Sequence, residues 1–573
     1  MSALFKQAVT YFQSGNLGRA QELVHAVLTQ EPLNADAWHL QGVLALNAKQ
    51  YGEAAEHLKR AATLRPDDCA IHVNYAAALS SASQFQEALQ VLTRALSLNP
   101  LFAEAHYQVG ACRLGLGQAP EAATAFTEAV RLRPDWPAAL EMLAHALQHT
   151  GEHEKSVQLA LRALELEPNR ATCHRVVGDG YMRWLRYDEA LEHYRLAVRL
   201  APDDGLIRNN LGLLFTRMGR NEEALTEYYK ATALTPKSPQ AREGYAFALL
   251  ATGRLAEGWP NYVARQRLED AGFVVRKGPP PATDPSQLNG KPVLAWLDQG
   301  IGDQIMFASL IPDLIAAGAN LTVECDARLV PILTRSFPGI AARFPVESSQ
   351  LPAASPPELG NEQFAYQIYM PDTARWFRSD FAAFPRHPGY LMADRSLTQK
   401  LRRLYLDKGG DLPLIGISWR TAINAKISVS KTLELEDWGP LLSCQNATFV
   451  SLQYGPVHRE IADVSKKLGT QIVCDASVDP VKDIDTFASQ VAAMDLVITT
   501  SNATAHMAGS LNVPVWTLVP KGFGAMWHWF LDREDSPWYP SMRLLRQVDR
   551  GDWRPVLNRA ASMLADFIAR SYQ

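Results

Sequence analysis

Seven prolines, Pro32, Pro66, Pro100, Pro134, Pro168, Pro202 and Pro236, stand 34 residues apart with no insertion between them. A register held that strictly confines the first half of the chain to a stack of equal supersecondary units. Small residues return at fixed places within each period. Gly42, Ala54 and Ala61 recur as Gly110, Ala122 and Ala129, as Gly178, Ala190 and Ala197, and as Gly212, Ala224 and Ala231. Helices approach closely only where side chains are small, so the pattern predicts one helix pair per period. Trp38, Leu58, Phe126, Tyr194 and Tyr228 fall between them at helical spacing, and each proline stops the second helix of its pair.

These residues resemble the tetratricopeptide repeat (TPR) family over residues 1 to about 260. The resemblance implies an all-α superhelix whose first helices line a long concave groove able to hold an extended peptide. Candidate groove residues are Asn74, Tyr107, Gln108, His145, His149, Arg175, Asn209 and Asn210, polar groups on helices that otherwise need apolar packing. Plain solvation of these side chains and self-association through the array are the alternatives. The last repeat degenerates at Gly258-Trp259, and a proline-bearing stretch with Pro279, Pro280, Pro281 and Pro285 follows. The reading divides the chain into a superhelix at 1–265 and a linker at 266–290.

Composition excludes several partners. The net charge of -4 offers no basic excess for nucleic acid or acidic lipid. The first residues lack the basic start and apolar run of a secretion signal, and no apolar stretch of about 18 residues occurs, so no membrane insertion and a cytoplasmic location are expected. Six scattered cysteines (Cys69, Cys112, Cys173, Cys325, Cys444, Cys474) form no CxxC pair and read as small buried side chains, with no metal site implied.

From Val293 onward short apolar runs alternate with helical stretches, the pattern of parallel strands covered by helices. The clearest runs are 293–297, 321–325, 414–418, 448–453, 471–474, 495–500 and 515–519. They fall into two α/β lobes, 291–405 and 406–545, followed by an amphipathic helix within 546–573 expected to bury Val556, Leu557, Met563, Leu564, Phe567 and Ile568 against the first lobe. Ligands of such sheets bind beyond the carboxyl ends of strands. After the first run, Gly300 and Gly302 permit a tight turn before Asp303 and Gln304; Asp303 is either a helix cap or a general base. After run 495–500, Ser501, Asn502, Thr504, Ala505 and His506 open a helix whose N-terminus suits phosphate, or is simply well capped. Trp419 and Arg420 follow run 414–418, and Arg420 with Lys431 supplies cations for a leaving phosphate, the alternative being surface charge. Asp485 is read as a helix cap near the cleft.

Taken in order, G-x-G-D, W-R, the Ser451–Gly455 run, A-x-x-D-L-V-I and T-A-H-x-A-G resemble bacterial glycosyltransferases of the heptosyltransferase-like and O-GlcNAc-transferase-like group, over about 290–573. The resemblance implies a GT-B fold of two Rossmann-like lobes, metal-independent transfer from a nucleotide-sugar co-substrate, and no other cofactor. It implies Asp303 as base, base contacts near Leu452 and Gln453, and phosphate contacts from Arg420, Lys431, Thr504, Ala505 and His506. Trp527, His528 and Trp538 stand in a Trp-rich segment that looks like the loop closing over the donor. Ser501 departs from the aspartate typical of heptosyltransferases, which leaves donor identity open. Repeats fused to such a domain resemble the flagellin-modifying glycosyltransferases, implying a flagellin-like protein acceptor and a CMP-activated nonulosonic acid such as pseudaminic acid. The alternatives are a UDP-N-acetylglucosamine-dependent protein transferase and a non-catalytic adaptor for a secreted protein.

Overall fold

The computed structural model describes residues 3–264, 278–297, 299–343, 364–421, 432–444, 446–522 and 524–571. By internal contacts the chain divides into two compact units, Met1–Leu214 and Phe215–Gln573. The division falls inside a helix, Gly205–Met218, so the last repeats belong to the second unit.

Sixteen helices, α1 (Ala3–Gln13) to α16 (Leu255–Ala264), make up the repeats among the described residues. The second helix of a period ends two residues before its proline, as at Leu64 before Pro66 and Leu98 before Pro100, because the pre-proline residue disfavours helical geometry. The small residues fit their partners: a Cβ at Gly110 would lie 2.7 Å from the Phe126 ring, and one at Gly178 would lie 3.1 Å from Tyr194.

A second device recurs at the repeat junctions. In six of the seven periods the residue six positions after the proline turns back to the proline's carbonyl; after Pro134 that position is Leu140, whose side chain has no donor. Trp38 Nε1 donates to Pro32 O at 2.9 Å, Arg208 Nε to Pro202 O at 2.8 Å and Arg242 Nε to Pro236 O at 2.9 Å. Nε2 of His72, His106 and His174 lies 3.0, 2.9 and 3.1 Å from the carbonyls of Pro66, Pro100 and Pro168. Proline ends one helix and leaves unpaired carbonyls there; the next helix supplies the donor.

Helix α16 corrects one expectation, since it runs through Gly258, Trp259 and Pro260 without breaking. Trp259 is buried and donates Nε1 to Arg378 O at 2.7 Å, an anchor that holds the helix despite its proline. The described part of the expected linker is also fixed. Gln367 Nε2 donates to Pro279 O at 2.8 Å, Ala282 N donates to Gln367 O at 3.1 Å, and Leu288 is fully buried.

Two sheets follow. In the first, β1 (Pro292–Trp296), β2 (Asn320–Glu324), β3 (Ala341–Arg343) and β4 (Tyr366–Tyr369) are parallel in the order β3-β2-β1-β4. In the second, β5 (Leu414–Ser418), β6 (Thr448–Ser451), β7 (Ile472–Val473), β8 (Leu496–Thr500), β9 (Val515–Val519), β10 (Asp535–Ser536) and β11 (Tyr539–Arg546) take the order β10-β11-β9-β8-β5-β6-β7, and only the β10–β11 pairing is antiparallel. Without β10, this is the strand order of a doubly wound nucleotide-binding sheet, and its topological switch point lies between β5 and β8. The central strands are buried throughout, as parallel strands covered on both faces must be.

Two packing expectations are corrected. The terminal helix Arg554–Ser571 packs on the second sheet, not the first: Val556, Leu557, Ala560, Leu564 and Ile568 share a core with Ile415, Ile417, Leu441, Leu442 and Phe449. The helix Arg395–Gly409, assigned mostly to the first lobe, is also tied to the second sheet through Arg402–Asp495 at 2.8 Å and Tyr405 Oη donating to Asp475 at 2.8 Å. Of the cysteines, Cys112, Cys173 and Cys325 are buried, whereas Cys69, Cys444 and Cys474 are only partly so, contrary to the expectation for all six. Among the described residues no helix is long and apolar enough to cross a membrane.

Candidate functional site

The site is built from two strand-to-helix turns. The first leaves β1 and enters α17 (Ile301–Ala308), with Gly300 at the helix N-cap position and contributing no side-chain cap. Asp303 is therefore not the cap but a first-turn residue, where a carboxylate is favoured by the helix dipole. It is partly exposed, whereas Gln304 behind it is buried. The second turn leaves β8 and enters the helix Ala503–Ser510.

These two turns lie side by side. A Cβ at Gly302 would sit 2.9 Å from His506 Cδ2, 3.5 Å from its Nε2 and 3.6 Å from Ala503 Cα. Glycine at 302 is thus the condition for the two helix starts to meet. The imidazole is fixed from other sides too. Its Nδ1 is 2.8 Å from Tyr539 Oη, its ring stacks on Trp529 at 4.9 Å, and His528 packs edge-on at 4.9 Å. Trp529 Nε1 in turn donates to Ser501 Oγ at 2.7 Å. Burial raises the Tyr539 phenol well above its ordinary value, and the neighbouring Tyr390 and the Asp303 charge push it further in the same direction. Burial raises Tyr390 likewise, and its hydroxyl donates to Ile305 O at 2.8 Å.

At the switch point Asn502 is the hub. Its Oδ1 accepts from Thr504 N at 3.0 Å and from Thr499 Oγ1 at 3.1 Å, and its Nδ2 donates to Ser418 Oγ at 2.9 Å, joining β5 to β8. Ala505 N donates to Asn502 O at 3.1 Å. The N–H groups of Thr504 and Ala505, expected to meet phosphate, are therefore already bonded, and residues 501, 502 and 504 to 506 are all buried. The structure brings these residues together as a capped and roofed helix start, because Trp529 and Tyr539 cover them.

Other expected contacts are used internally. Leu452 is fully buried in the core. The Gln453 carboxamide oxygen accepts from Ser418 Oγ (3.1 Å) and from the backbone N–H groups of Trp419 and Arg420 (both 2.9 Å). Both side chains are thus engaged within the fold. Trp419 is a core residue that donates Nε1 to Glu460 at 3.0 Å, and Arg420 pairs with the same carboxylate at 2.7 Å. Lys431 lies outside the described residues. Asp485 is not a cap, since Asp483 caps its helix; Asp485 instead pairs with Arg335, on the helix after β2. Trp527, His528 and Trp538 are buried, with Trp527 in edge contact with Trp259 at 5.5 Å and Tyr262 at 5.9 Å.

Three candidate groove residues of the first unit, Arg175, Asn209 and Asn210, form a network around Asp179, which no sequence motif singles out. Arg175 pairs with it at 2.7 Å, Asn210 Nδ2 donates to it at 2.9 Å, and the Tyr194 hydroxyl also bonds to it. Asn209 donates to Asn210 at 3.3 Å. Further along, Asn74 Nδ2 lies 2.7 Å from His39 Nε2, Tyr107 packs on Trp136 at 4.8 Å, and His145 meets His149 edge-on at 5.2 Å. Gln108 is partly buried. Burial, helped by the Arg175 charge, lowers His145 to about 4.

The repeats are tetratricopeptide repeats: that family's model matches residues 5–68, 76–135, 112–171, 178–239 and 210–258. Protein FlbA of Caulobacter vibrioides is 31% identical over 328 residues, covering 55% of this chain and 53% of FlbA. The match thus spans about half the length of that relative, and at 55% of this chain it extends beyond the repeats. Solved structures with partial likeness include a tetratricopeptide repeat protein from Parabacteroides merdae, 17% identical, covering 43% of this chain and 97% of that one with a TM-score of 0.37. A thermophilic TPR protein of Thermus thermophilus is 27% identical and covers 32% of this chain and 100% of that one, with a TM-score of 0.29.

Proposed function

We propose that the chain is a protein O-glycosyltransferase of the GT-B kind, whose repeats recruit a protein acceptor and whose α/β half transfers a sugar from a nucleotide donor to Ser or Thr. The single observation that carries the reading is the meeting of the Gly300–Asp303 turn with the 502–506 helix start, Gly302 against His506. It sets a partly exposed carboxylate beside the switch-point end of a doubly wound sheet, where such sheets take their ligands. Flagellin as acceptor and a CMP-activated nonulosonic acid as donor follow from the resemblance drawn on the sequence motifs. The match to FlbA covers 55% of this chain, more than the repeats alone occupy, so the likeness to that protein is not confined to them.

In the proposed step the acceptor hydroxyl attacks the anomeric carbon while Asp303 takes its proton. The new carbon–oxygen bond forms as the bond from the anomeric carbon to the donor phosphate breaks, and the nucleotide departs with that electron pair. Because Thr504 and Ala505 N–H are bonded to Asn502, the leaving phosphate relies on cationic side chains, with Arg420 next to the switch point and Lys431 as the second candidate. Intact-mass measurement of flagellin incubated with the chain and a CMP-activated nonulosonic acid tests the reading. A mass increase of one sugar per modified site is expected, and Asp303→Ala is expected to slow transfer by about 10² to 10⁴ while leaving donor binding in place. No added mass with any nucleotide-sugar would sink the transferase. Stabilisation by UDP and not CMP in thermal denaturation would move the donor to UDP-N-acetylglucosamine.

A further inference from the structure

The turn that carries Asp303 contains two glycines, which cannot hold a conformation by themselves. Its shape is set by the residue before them. Gln299 donates Nε2 to two phenols, Tyr369 at the end of β4 at 3.0 Å and Tyr262 of α16 at 2.9 Å. Both hydrogens of that amide are thereby used. The Gln299 carbonyl accepts from Gln304 Nε2 at 2.7 Å, and Gln304 Oε1 accepts from Asp326 N at 2.9 Å, just past β2. The turn is thus tied to the ends of β2 and β4, to α17, and to the last helix of the repeats.

That last tie is the unexpected one. Tyr262 is 1% exposed and wedged against Trp259 at 5.8 Å, Trp527 at 5.9 Å and Phe307 at 6.4 Å, so its hydroxyl has one place to be. The packing needs only an aromatic ring, which phenylalanine would supply; the hydroxyl has Gln299 as its partner. Trp527 immediately precedes His528 and Trp529, which hold the His506 ring. One helix of the repeats therefore braces both turns of the candidate site.

We propose that Tyr262 is a positioning residue for Asp303, acting through Gln299, so that the final repeat is a working part of the transferase site and not a tether; this rests on the transferase reading above. A base displaced by a fraction of an ångström loses rate without losing substrate. In the full-length chain, Tyr262→Phe is expected to lower kcat about tenfold with the donor KM and Tm unchanged. Tyr369→Phe, which removes the other phenol from the same amide, is expected to give the same split. In a Gln299→Ala background, which already lacks the bonds to both phenols, Tyr262→Phe is expected to cost nothing further in kcat. A Tyr262→Phe variant at parental kcat, or one whose loss persists undiminished in the Gln299→Ala background, overturns the inference alone. A parent chain that transfers no sugar removes the transferase reading and this inference with it.

Discussion

The repeats and the two sheets solve the same packing problem in opposite ways. In the repeats contacts are used again in the 34-residue register: glycine against a large ring at Gly110 and Gly178, and a donor turned back to a proline carbonyl in six of the seven periods. In the sheets each contact occurs once and joins distant segments, as Gly302 meets His506 and Asn502 meets Ser418. The repeats should therefore lose stability in small local steps, whereas the sheets should lose structure and activity together.

The sharpest way to break this contrast is Gly302→Ala. The added methyl meets a ring that Trp529 and Tyr539 prevent from moving, so a loss of about 2–3 kcal/mol, together with loss of transfer, is expected in chemical denaturation and activity assays. Full activity in that variant would show the two turns to be independent. Acidification probes the repeats instead. Burial lowers both His145 and His193 to about 4, His193 also feeling His174, whereas in the unfolded chain each takes up a proton near 6.5. The unfolded state then binds more protons between these values, so stability falls as pH drops from about 6.5 to about 4, by on the order of a few kcal/mol after allowance for solvent screening. A flat Tm of the full chain's helical signal over that range would count against it. Gly110→Ala should cost about 1–2 kcal/mol, and Phe126→Leu in the same chain should recover most of it, a local rescue with no counterpart at Gly302. The smallest effect, about 0.5–1.5 kcal/mol, is expected for His106→Phe, which removes the bond to Pro100 O; equal thermal denaturation curves would show that bond to be idle.

How much was legible in the sequence follows the same division. The period fixed the helix pairs because each small residue announces a neighbour one helix away. The seven apolar runs correspond to β1, β2 and β5 to β9, since strands buried on both faces carry continuous apolar sequence. β11 was missed because Pro540 and alternating polar residues disguise it; the stretch paired to β9 begins only at Met542. With β11 went Tyr539, and so the partner of His506 was invisible. Gln299 and Tyr262 are 37 residues apart in sequence with nothing in their spacing to link them, and only folding brings them to 2.9 Å. Trp419, Leu452 and Gln453 sit where the motifs suggested but face inward, a distinction that residue type alone does not make.

The proline-to-next-helix bond has an evolutionary corollary. Each such clasp spans six residues across a repeat junction, so recombination that duplicates or deletes one whole 34-residue cassette leaves the clasps of the remaining cassettes intact. A change of length within those six residues strands a carbonyl and its donor, whereas one elsewhere in the cassette leaves the clasp whole. The array is thus free to change length during descent in whole steps without losing a clasp, while the cassette bearing Tyr262 stays committed to its place.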